Sequence, residues 1–356
     1  MGMNHKRLCV VLGAGASHDA WNGGAPRRNA NLQPPLARDL FDIGHHEEYW
    51  QYARDYPGAQ YVAQVLAPRL GANAFNVESE LRKFAEHSNP DKRAHYFWVP
   101  PYLRDLISAC SSEYAHGPGN YVALVDSLLG DAQLEILFLV LNYDDMLERA
   151  LTLYKPTEFK FEKASDYVAE DRQAKVVKIH GSTNWFKPMG SASGKPDFFE
   201  RVRDLSSLSF LKEGELTVVN ELHRTFQLER NGQHLYPLLT APLAGKGDDD
   251  IVCPQTHLEA AKEFLSACHR YLVIGCSGLD TDLLSLISDA MPKSGNISAM
   301  FVSGKSEYSE ATRRHFNSKG RFGSIVLPGD LKAQYDGGFN DFIARGDAWK
   351  FAESKL

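Results

Sequence analysis

The chain has 356 residues, of which 43% are hydrophobic and 24% are charged, and its formal net charge at pH 7 is −6. A chain of this length exceeds the usual size of one domain, so we expect either two domains or one domain with large insertions. The negative charge gives no support for binding to nucleic acid or to an anionic membrane, because both need clustered Lys and Arg. We therefore expect neither kind of partner.

The five cysteines follow no metal-binding or disulfide pattern. No two of them are separated by two residues, as zinc-ribbon ligands are, and their odd number disfavours a disulfide framework. Cys9 and Cys276 lie in apolar runs, where we expect them to be buried.

Neither a signal peptide nor a membrane span is predicted. Residues 1–7 are polar and lead directly into a strand, and the longest strongly apolar run, 136–141, is far too short to cross a bilayer. These features predict a cytoplasmic protein.

The first apolar run, residues 7–12, predicts a buried strand that ends in the turn Gly13-Ala14-Gly15-Ala16-Ser17. Glycines let a backbone approach a pyrophosphate, and the helix that follows offers unpaired N–H groups to it. The third glycine of the dinucleotide fingerprint is replaced by His18, and the Gly-Lys-Ser/Thr of a Walker loop is missing. Pyrophosphate binding and a purely structural turn are both open here.

The crossover after this turn is far too long for a single helix. Helical patterns occupy five parts of it, at 36–41, 47–53, 77–86, 101–114 and 121–129. They predict a helical subdomain, residues 30–130, that is inserted after the first strand and lies over the crevice at the sheet edge.

The second strand, predicted at 134–141, ends in Asn142-Tyr143-Asp144-Asp145. The Asn142 amide is placed to hold a ribose hydroxyl or a water molecule. One of the two carboxylates is expected to cap the helix that begins at Met146, because short carboxylates accept from first-turn N–H groups. Asp145 is also a candidate ligand for the nucleotide.

The third strand, predicted at 175–179, ends in His180-Gly181-Ser182. A histidine titrates near neutrality, and at a strand end, beside a glycine that admits a ligand, it suits a general base. The alternative is a structural histidine, the usual role of a lone one. Gly181 and Ser182 are candidate contacts to the bound ligand.

A second insertion, residues 185–250, follows this motif. It contains a flexible stretch at 190–194, a possible strand at 215–220 and an acidic run at 248–250. The acidic run predicts a solvated turn rather than a metal site.

Strands and helices alternate in the rest of the chain. Strands are predicted at 270–274, 297–302 and 323–327, and helices at 256–268, 280–291, 306–317 and 339–354. Continuous apolar runs are typical of parallel strands that are covered on both faces. The predicted fold class is α/β: a Rossmann-like doubly wound parallel sheet with an inserted helical subdomain, in a main domain of 5–330 followed by a C-terminal helix within 331–356.

The fourth strand ends in a motif that runs from Gly275 to Asp282, with the sequence Gly-Cys-Ser-Gly-Leu-Asp-Thr-Asp. Gly275 and Ser277 are candidate contacts to phosphate or ribose. Asp280 and Asp282 either cap the following helix or hold a ribose diol. Ser303, which follows the fifth strand, is a candidate contact to the adenosine ribose.

The carboxyl ends of parallel strands meet at one crevice, so these motifs can line a single dinucleotide site. In this order they resemble the SIR2-like domains, of the sirtuin superfamily, that occur in bacterial anti-phage defence systems. The resemblance spans residues 5–330 and implies a Rossmann-like NAD-binding domain, with Asn142 and His180 as the catalytic residues. True sirtuin deacylases carry two Cys-x-x-Cys pairs for a structural zinc between the His-Gly motif and the following Gly-x-Ser motif, where this chain has only Cys253 and Cys268. We therefore expect no zinc, and binding of an acyl-lysine peptide is disfavoured.

The defence-type resemblance implies that NAD+ is a substrate, hydrolysed at the nicotinamide–ribose bond to nicotinamide and ADP-ribose. Because loss of NAD+ is toxic, such an effector has to be gated. The resemblance implies a homo-oligomer, or a separately encoded partner such as a HerA-type ATPase or a short Argonaute. Two alternatives remain: an NAD-dependent protein deacylase or ADP-ribosyltransferase, and a non-enzymatic module that senses NAD or ADP-ribose.

Overall fold

The structure is a computed structural model. It describes residues 6–21, 29–44, 47–70, 77–114, 119–190, 197–205, 207–208, 211, 215–240, 252–323, 325–327 and 331–353.

The described residues form ten strands. They are β1 (Lys6–Leu12), β2 (Leu134–Val140), β3 (Ala174–Lys178), β4 (Gly181–Pro188), β5 (Thr217–Val218), β6 (Glu229–Arg230), β7 (Gln233–Leu239), β8 (Arg270–Ile274), β9 (Ser298–Val302) and β10 (Gln334–Tyr335).

They also form fourteen α-helices. The first seven are α1 (Ala14–His18), α2 (Glu47–Arg54), α3 (Pro57–Leu66), α4 (Val77–Ala85), α5 (Pro90–Tyr96), α6 (Val99–Glu113) and α7 (Gly119–Leu129). The others are α8 (Met146–Tyr154), α9 (Phe198–Arg203), α10 (Gln255–Leu265), α11 (Thr281–Ala290), α12 (Ser306–Lys319), α13 (Gly338–Ala344) and α14 (Asp347–Glu353). No helix among the described residues is both long and apolar enough to cross a membrane.

The main sheet has six parallel strands in the order β10-β9-β8-β1-β2-β3. Counted along the chain, this is the 3-2-1-4-5-6 order of doubly wound dinucleotide-binding folds, so the predicted fold class is confirmed. The order reverses between β1 and β8. Leu12, the last residue of β1, lies beside both Val140 and Ile274, so three neighbouring strands end at the same level.

Both faces of this sheet are covered by helices. Leu8, Val10 and Leu12 pack with α7, α8, α13 and α14 on one face, whereas Cys9 and Val11 pack with α10, α11 and α12 on the other. A sheet that is buried on both faces needs apolar side chains at successive positions. This explains the continuous apolar runs in the sequence.

The two predicted insertions form one body, which we call the accessory subdomain: α2–α6, α9 and the strands β4–β7. These strands make an antiparallel sheet in the order β5-β4-β7-β6, which the sequence did not predict. One hydrophobic cluster joins helix and strand residues, among them Tyr56, Leu103, Phe198 and Tyr236. The helix 121–129, predicted as part of the insertion, instead packs in the main core as α7.

A buried polar network centred on α6 also connects the helices of the first insertion with the segment around β4–β7. The Arg104 guanidinium donates to the Thr183 carbonyl at 3.0 Å and pairs with Asp105 at 3.1 Å. The Asp105 carboxylate accepts from the Tyr56 hydroxyl at 2.5 Å and from the Thr225 hydroxyl at 2.7 Å. Since both charges are almost fully enclosed, each depends on the other for compensation.

Three predicted elements differ from the structure. The strand expected at 323–327 is wrong: Ile325 makes one isolated bridge to Ile297, and the last strand of the sheet is β10, because the end of β9 pairs with Gln334 and Tyr335. The closing helix expected at 339–354 is two helices, separated at Gly346, which has a φ of +67°.

The third difference is at 36–41, where only a short 3-10 helix forms, over Ala37–Asp39. The acidic run at 248–250 and most of the flexible stretch predicted at 190–194 lie outside the described residues. Cys9 and Cys276 are buried, as expected.

Candidate functional site

Two glycine-rich turns meet backbone to backbone at the switch point between β1 and β8. The Gly13 N–H donates to the Ile274 carbonyl and the Gly15 N–H to the Gly275 carbonyl, each at 2.9 Å. A Cβ on Gly275, whose φ is +63°, would lie 2.1 Å from the Ala16 nitrogen. These glycines are therefore required by the contact between the turns, and two of the N–H groups expected to face a pyrophosphate are already engaged.

A buried polar cluster lies directly beneath the first turn. The Asn142 amide donates to the Gly13 carbonyl at 2.9 Å and to the Ser17 hydroxyl at 2.7 Å. The Ser17 hydroxyl donates to Asp144 at 2.6 Å and lies 2.9 Å from the Tyr121 hydroxyl. Asn142 Oδ1 is buried and has no hydrogen-bond partner among the described residues, which leaves it as the open acceptor of this cluster.

A buried ion pair supports the Asn142 loop from below. Lys178, the last residue of β3, is fully buried and lies 3.0 Å from the Glu148 carboxylate on α8. Its ammonium also donates to the carbonyls of Tyr143 and Asp144. Burial raises the pKa of Glu148, and the charge of Lys178 opposes that rise.

His180 and Asp280 meet at the carboxyl edge of the sheet. His180 Nε2 lies 2.5 Å from Asp280 Oδ2, although the two residues are 100 positions apart. Asp280 is also the N-cap of α11, where its Oδ1 accepts from the Leu283 N–H at 2.8 Å. The capping role predicted for Asp280 is thus confirmed, and the carboxylate contacts the candidate base as well.

The accessory subdomain contacts this edge through Tyr143 and Thr240. The Tyr143 hydroxyl donates to the Thr240 carbonyl at 2.6 Å, and the Thr240 N–H donates to the His180 carbonyl at 3.0 Å. The Thr240 hydroxyl lies 3.4 Å from His180 Nδ1. The residue that follows the last strand of the subdomain is therefore a direct neighbour of the candidate base.

Several other predicted contacts have side chains that are not open to the crevice. Ala16 packs in the main core, and Ser182 is fully buried with its hydroxyl 3.3 Å from the Tyr143 carbonyl. Gly181 has a φ of +84°, and a Cβ at this position would lie 2.0 Å from the Leu238 carbonyl oxygen on β7. The binding roles of these three residues stay predictions, and only their backbone atoms could contact the ligand.

The remaining predicted contacts lie nearer to the surface. Asp145 pairs with Arg149 at 3.2 Å, while Asp144 accepts from the Met146 N–H at 3.1 Å. Ser277 is exposed in the turn after β8. Ser303 donates to the carbonyl of Lys305 at 2.8 Å.

The sequence reading missed Tyr121, Glu148, Lys178 and Thr240. Lys178 did leave a signal, because it is a charged residue inside the otherwise apolar run 176–179, and a buried charge has to be paired. Tyr121 and Thr240 left none that we can identify.

The cysteines of the interval where sirtuin deacylases hold zinc are buried in this chain. Burial raises the pKa of Cys253 well above its usual value and that of Cys268 to about 12, so both are protonated thiols. Among the described residues, no group of three or more His, Cys, Asp or Glu side chains is arranged to hold a metal ion. The expected absence of zinc stays a prediction.

Comparison with protein families gives one match, to a model described as a SIR2-like domain, over residues 137–320. These residues include Asn142, His180 and Asp280. No curated protein sequence matches the chain.

Several solved structures of Sir2 homologues match the chain at low similarity. A mutant in complex with ADP-ribose is 14% identical, with a TM-score of 0.45, and the match covers 99% of this chain and 96% of that one. A triple mutant bound to 2'-O-acetyl ADP-ribose is 13% identical, with a TM-score of 0.42 and coverages of 99% and 96%. A homologue in complex with NAD is 13% identical, with a TM-score of 0.39 and coverages of 98% and 90%.

Proposed function

Because the chain belongs to the SIR2-like domain family, we propose that it binds NAD+ and hydrolyses its nicotinamide–ribose bond, releasing nicotinamide and ADP-ribose. The observation that carries the proposal is the pairing of His180 with a carboxylate at the strand ends, beside the buried Asn142 cluster. A histidine held against a carboxylate suits a general base, which favours an enzyme over a module that only senses a nucleotide.

In the proposed reaction, a water oxygen bonds to the ribose C1′ as the bond from C1′ to the nicotinamide nitrogen breaks. The electron pair of the broken bond stays on that nitrogen and neutralises its positive charge. His180 accepts a proton from the attacking water and passes it to solvent. The positive charge that develops on the ribose is stabilised by polar groups that are already in place.

Asn142 is proposed to orient the ribose through Oδ1. Its amide N–H groups are used by Gly13 and Ser17, so the oxygen is the atom left to accept a ribose hydroxyl or a water proton. The pyrophosphate is expected above the two glycine-rich turns, where Ser277 offers an exposed hydroxyl. Ser303 is proposed to contact the adenosine ribose.

The test is nicotinamide release from NAD+ by the purified protein, with the products identified by mass spectrometry. We expect the wild type to give ADP-ribose and H180A to give no product above background. H269A is the matched control, because His269 precedes β8 at the opposite edge of the sheet, and it should retain wild-type activity. Full activity of H180A, with an unchanged thermal unfolding midpoint for all three proteins, would refute the assignment.

We also propose that this activity serves anti-phage defence and is gated by self-assembly or by a partner such as a HerA-type ATPase or a short Argonaute. The support is the resemblance of the four motifs to defence-type SIR2-like domains. The proposal predicts that bacteria expressing the wild type, but not H180A, lose NAD+ after phage infection. An equal NAD+ level in both strains through infection would contradict it.

A further inference from the structure

The contact between His180 and Asp280 spans the carboxyl edge of the main sheet. His180 follows β3 and Asp280 follows β8, and these strands are separated by β1 and β2. Three strand spacings correspond to about 14 Å. Side chains that follow two strands three spacings apart therefore meet at this edge.

Asp280 is held in place from the helix side. Its Oδ1 accepts from the Leu283 N–H at 2.8 Å as the N-cap of α11, so only Oδ2 faces His180 Nε2. Capping alone does not select a carboxylate, because Ser and Asn cap as well as Asp does. A carboxylate differs from them in that it compensates the positive charge of an imidazolium.

We propose that Asp280 is a positioning residue for His180. This inference rests on the proposed NAD+ hydrolysis. Asp280 accepts a hydrogen bond from the Nε2–H and fixes the ring. Nδ1, on the side of the Thr240 hydroxyl, is then the nitrogen that takes the proton from the attacking water. The carboxylate stays ionised and stabilises the imidazolium that forms.

The helix cap makes D280N a sharp test. The Asn oxygen is needed by the Leu283 N–H, so the amide NH2 has to face His180 Nε2. An NH2 group donates, and it therefore forces Nε2 to accept and moves the ring proton to Nδ1, which can then no longer act as the base. The cap itself is retained, because Asn is as good an N-cap residue as Asp.

We expect D280N to lower kcat for nicotinamide release by about 10²–10⁴-fold. Its KM and thermal unfolding midpoint should stay close to the wild-type values. D289N removes the same charge from the other end of α11, where Asp289 is exposed, and should leave kcat unchanged. A kcat of D280N within about threefold of the wild type would overturn the proposal.

A second readout does not depend on activity. NMR of isotope-labelled histidine nitrogens, with the His180 signals assigned by their loss in H180A, reports which nitrogen carries the proton. We expect Nε2–H in the wild type and Nδ1–H in D280N. The same protonated nitrogen in both proteins overturns the proposal. If the wild type released no nicotinamide, NAD+ hydrolysis by the chain alone would be refuted, while these spectra would still decide the pairing.

Discussion

Removal of the Lys178 ammonium should destabilise the protein strongly, because it leaves a buried carboxylate without its cation. Lys178 is fully buried, and the Glu148 carboxylate 3.0 Å away is 4% exposed. Met keeps most of the length and volume of Lys without its charge. Breaking a buried pair in this way costs about 3–5 kcal/mol. We therefore expect the K178M substitution to lower the free energy of unfolding by about that amount near neutral pH.

The loss should depend on pH with a defined sign. Burial already raises the pKa of Glu148 above 4.5, and the loss of Lys178 removes the charge that opposes the rise. A carboxyl with a raised pKa in the folded state destabilises the fold above that pKa, and this cost fades as the pH falls towards the unfolded value. The difference between K178M and the wild type should accordingly be largest near about pH 8 and smaller near about pH 5.

Urea denaturation followed by circular dichroism measures this free energy. The double variant K178M/E148Q should recover most of the loss, because no charge is left buried. K155M is the matched control: Lys155, which follows α8, pairs with Glu158 at 3.2 Å where both side chains are partly exposed, and its loss should cost less than about 1 kcal/mol. A loss below about 1 kcal/mol in K178M, or no recovery in the double variant, would refute the reasoning.

Two further predictions concern stability. G275A should lower the free energy of unfolding by at least about 2 kcal/mol and abolish nicotinamide release, because its Cβ would clash with the Ala16 nitrogen at a positive φ. In the control G304A the added Cβ meets nothing within 4 Å, so this variant should be nearly neutral. Equal thermal unfolding midpoints for the two variants would contradict this. His257 is buried on α10 with its pKa lowered from 6.5 to about 4 by desolvation, so its contribution is complete above about pH 6.5 and is lost as the pH falls towards 4. H257Q keeps an amide donor for the Ala164 carbonyl but does not titrate, and its free energy of unfolding should rise relative to the wild type by about 2–3 kcal/mol between pH 7 and 4.5. Parallel pH profiles would contradict that expectation.

Five of the six strands of the main sheet could be predicted because burial on both faces leaves a continuous apolar run for each of them, whereas β10 has only two residues, Gln334 and Tyr335. The polar motifs could be predicted for the same reason, since Asn142 and His180 interrupt such runs at the strand ends. The resemblance to SIR2-like domains, which rested on these motifs, is confirmed by the family match over residues 137–320. The NAD+ hydrolysis and the defence role stay predictions.

Of the antiparallel strands of the accessory subdomain, only β5 was predicted, within the strand expected at 215–220, because the signals of these strands are short and irregular. β5 and β6 have two residues each, and β4 mixes polar with aromatic residues. The sequence also did not indicate which individual side chains contact each other. Nothing in the spacing of His180 and Asp280 along the chain indicates that the residues after β3 and β8 meet.

Because the accessory subdomain is built from two separate segments of the chain, its hydrophobic cluster can be completed only after the second segment has been synthesised. Helix α6 ends at Glu113, but the Tyr236 and Leu239 side chains that complete its hydrophobic cluster belong to β7, and Leu239 follows Glu113 by 126 residues. At roughly 5–20 residues per second, the helices wait about 6–25 s for these partners. During that time the apolar faces of α3 and α6 and the Arg104–Asp105 pair lack the covering that the finished chain provides. Exposed apolar surface makes a nascent chain prone to aggregation, so we expect chaperones to bind it in this interval.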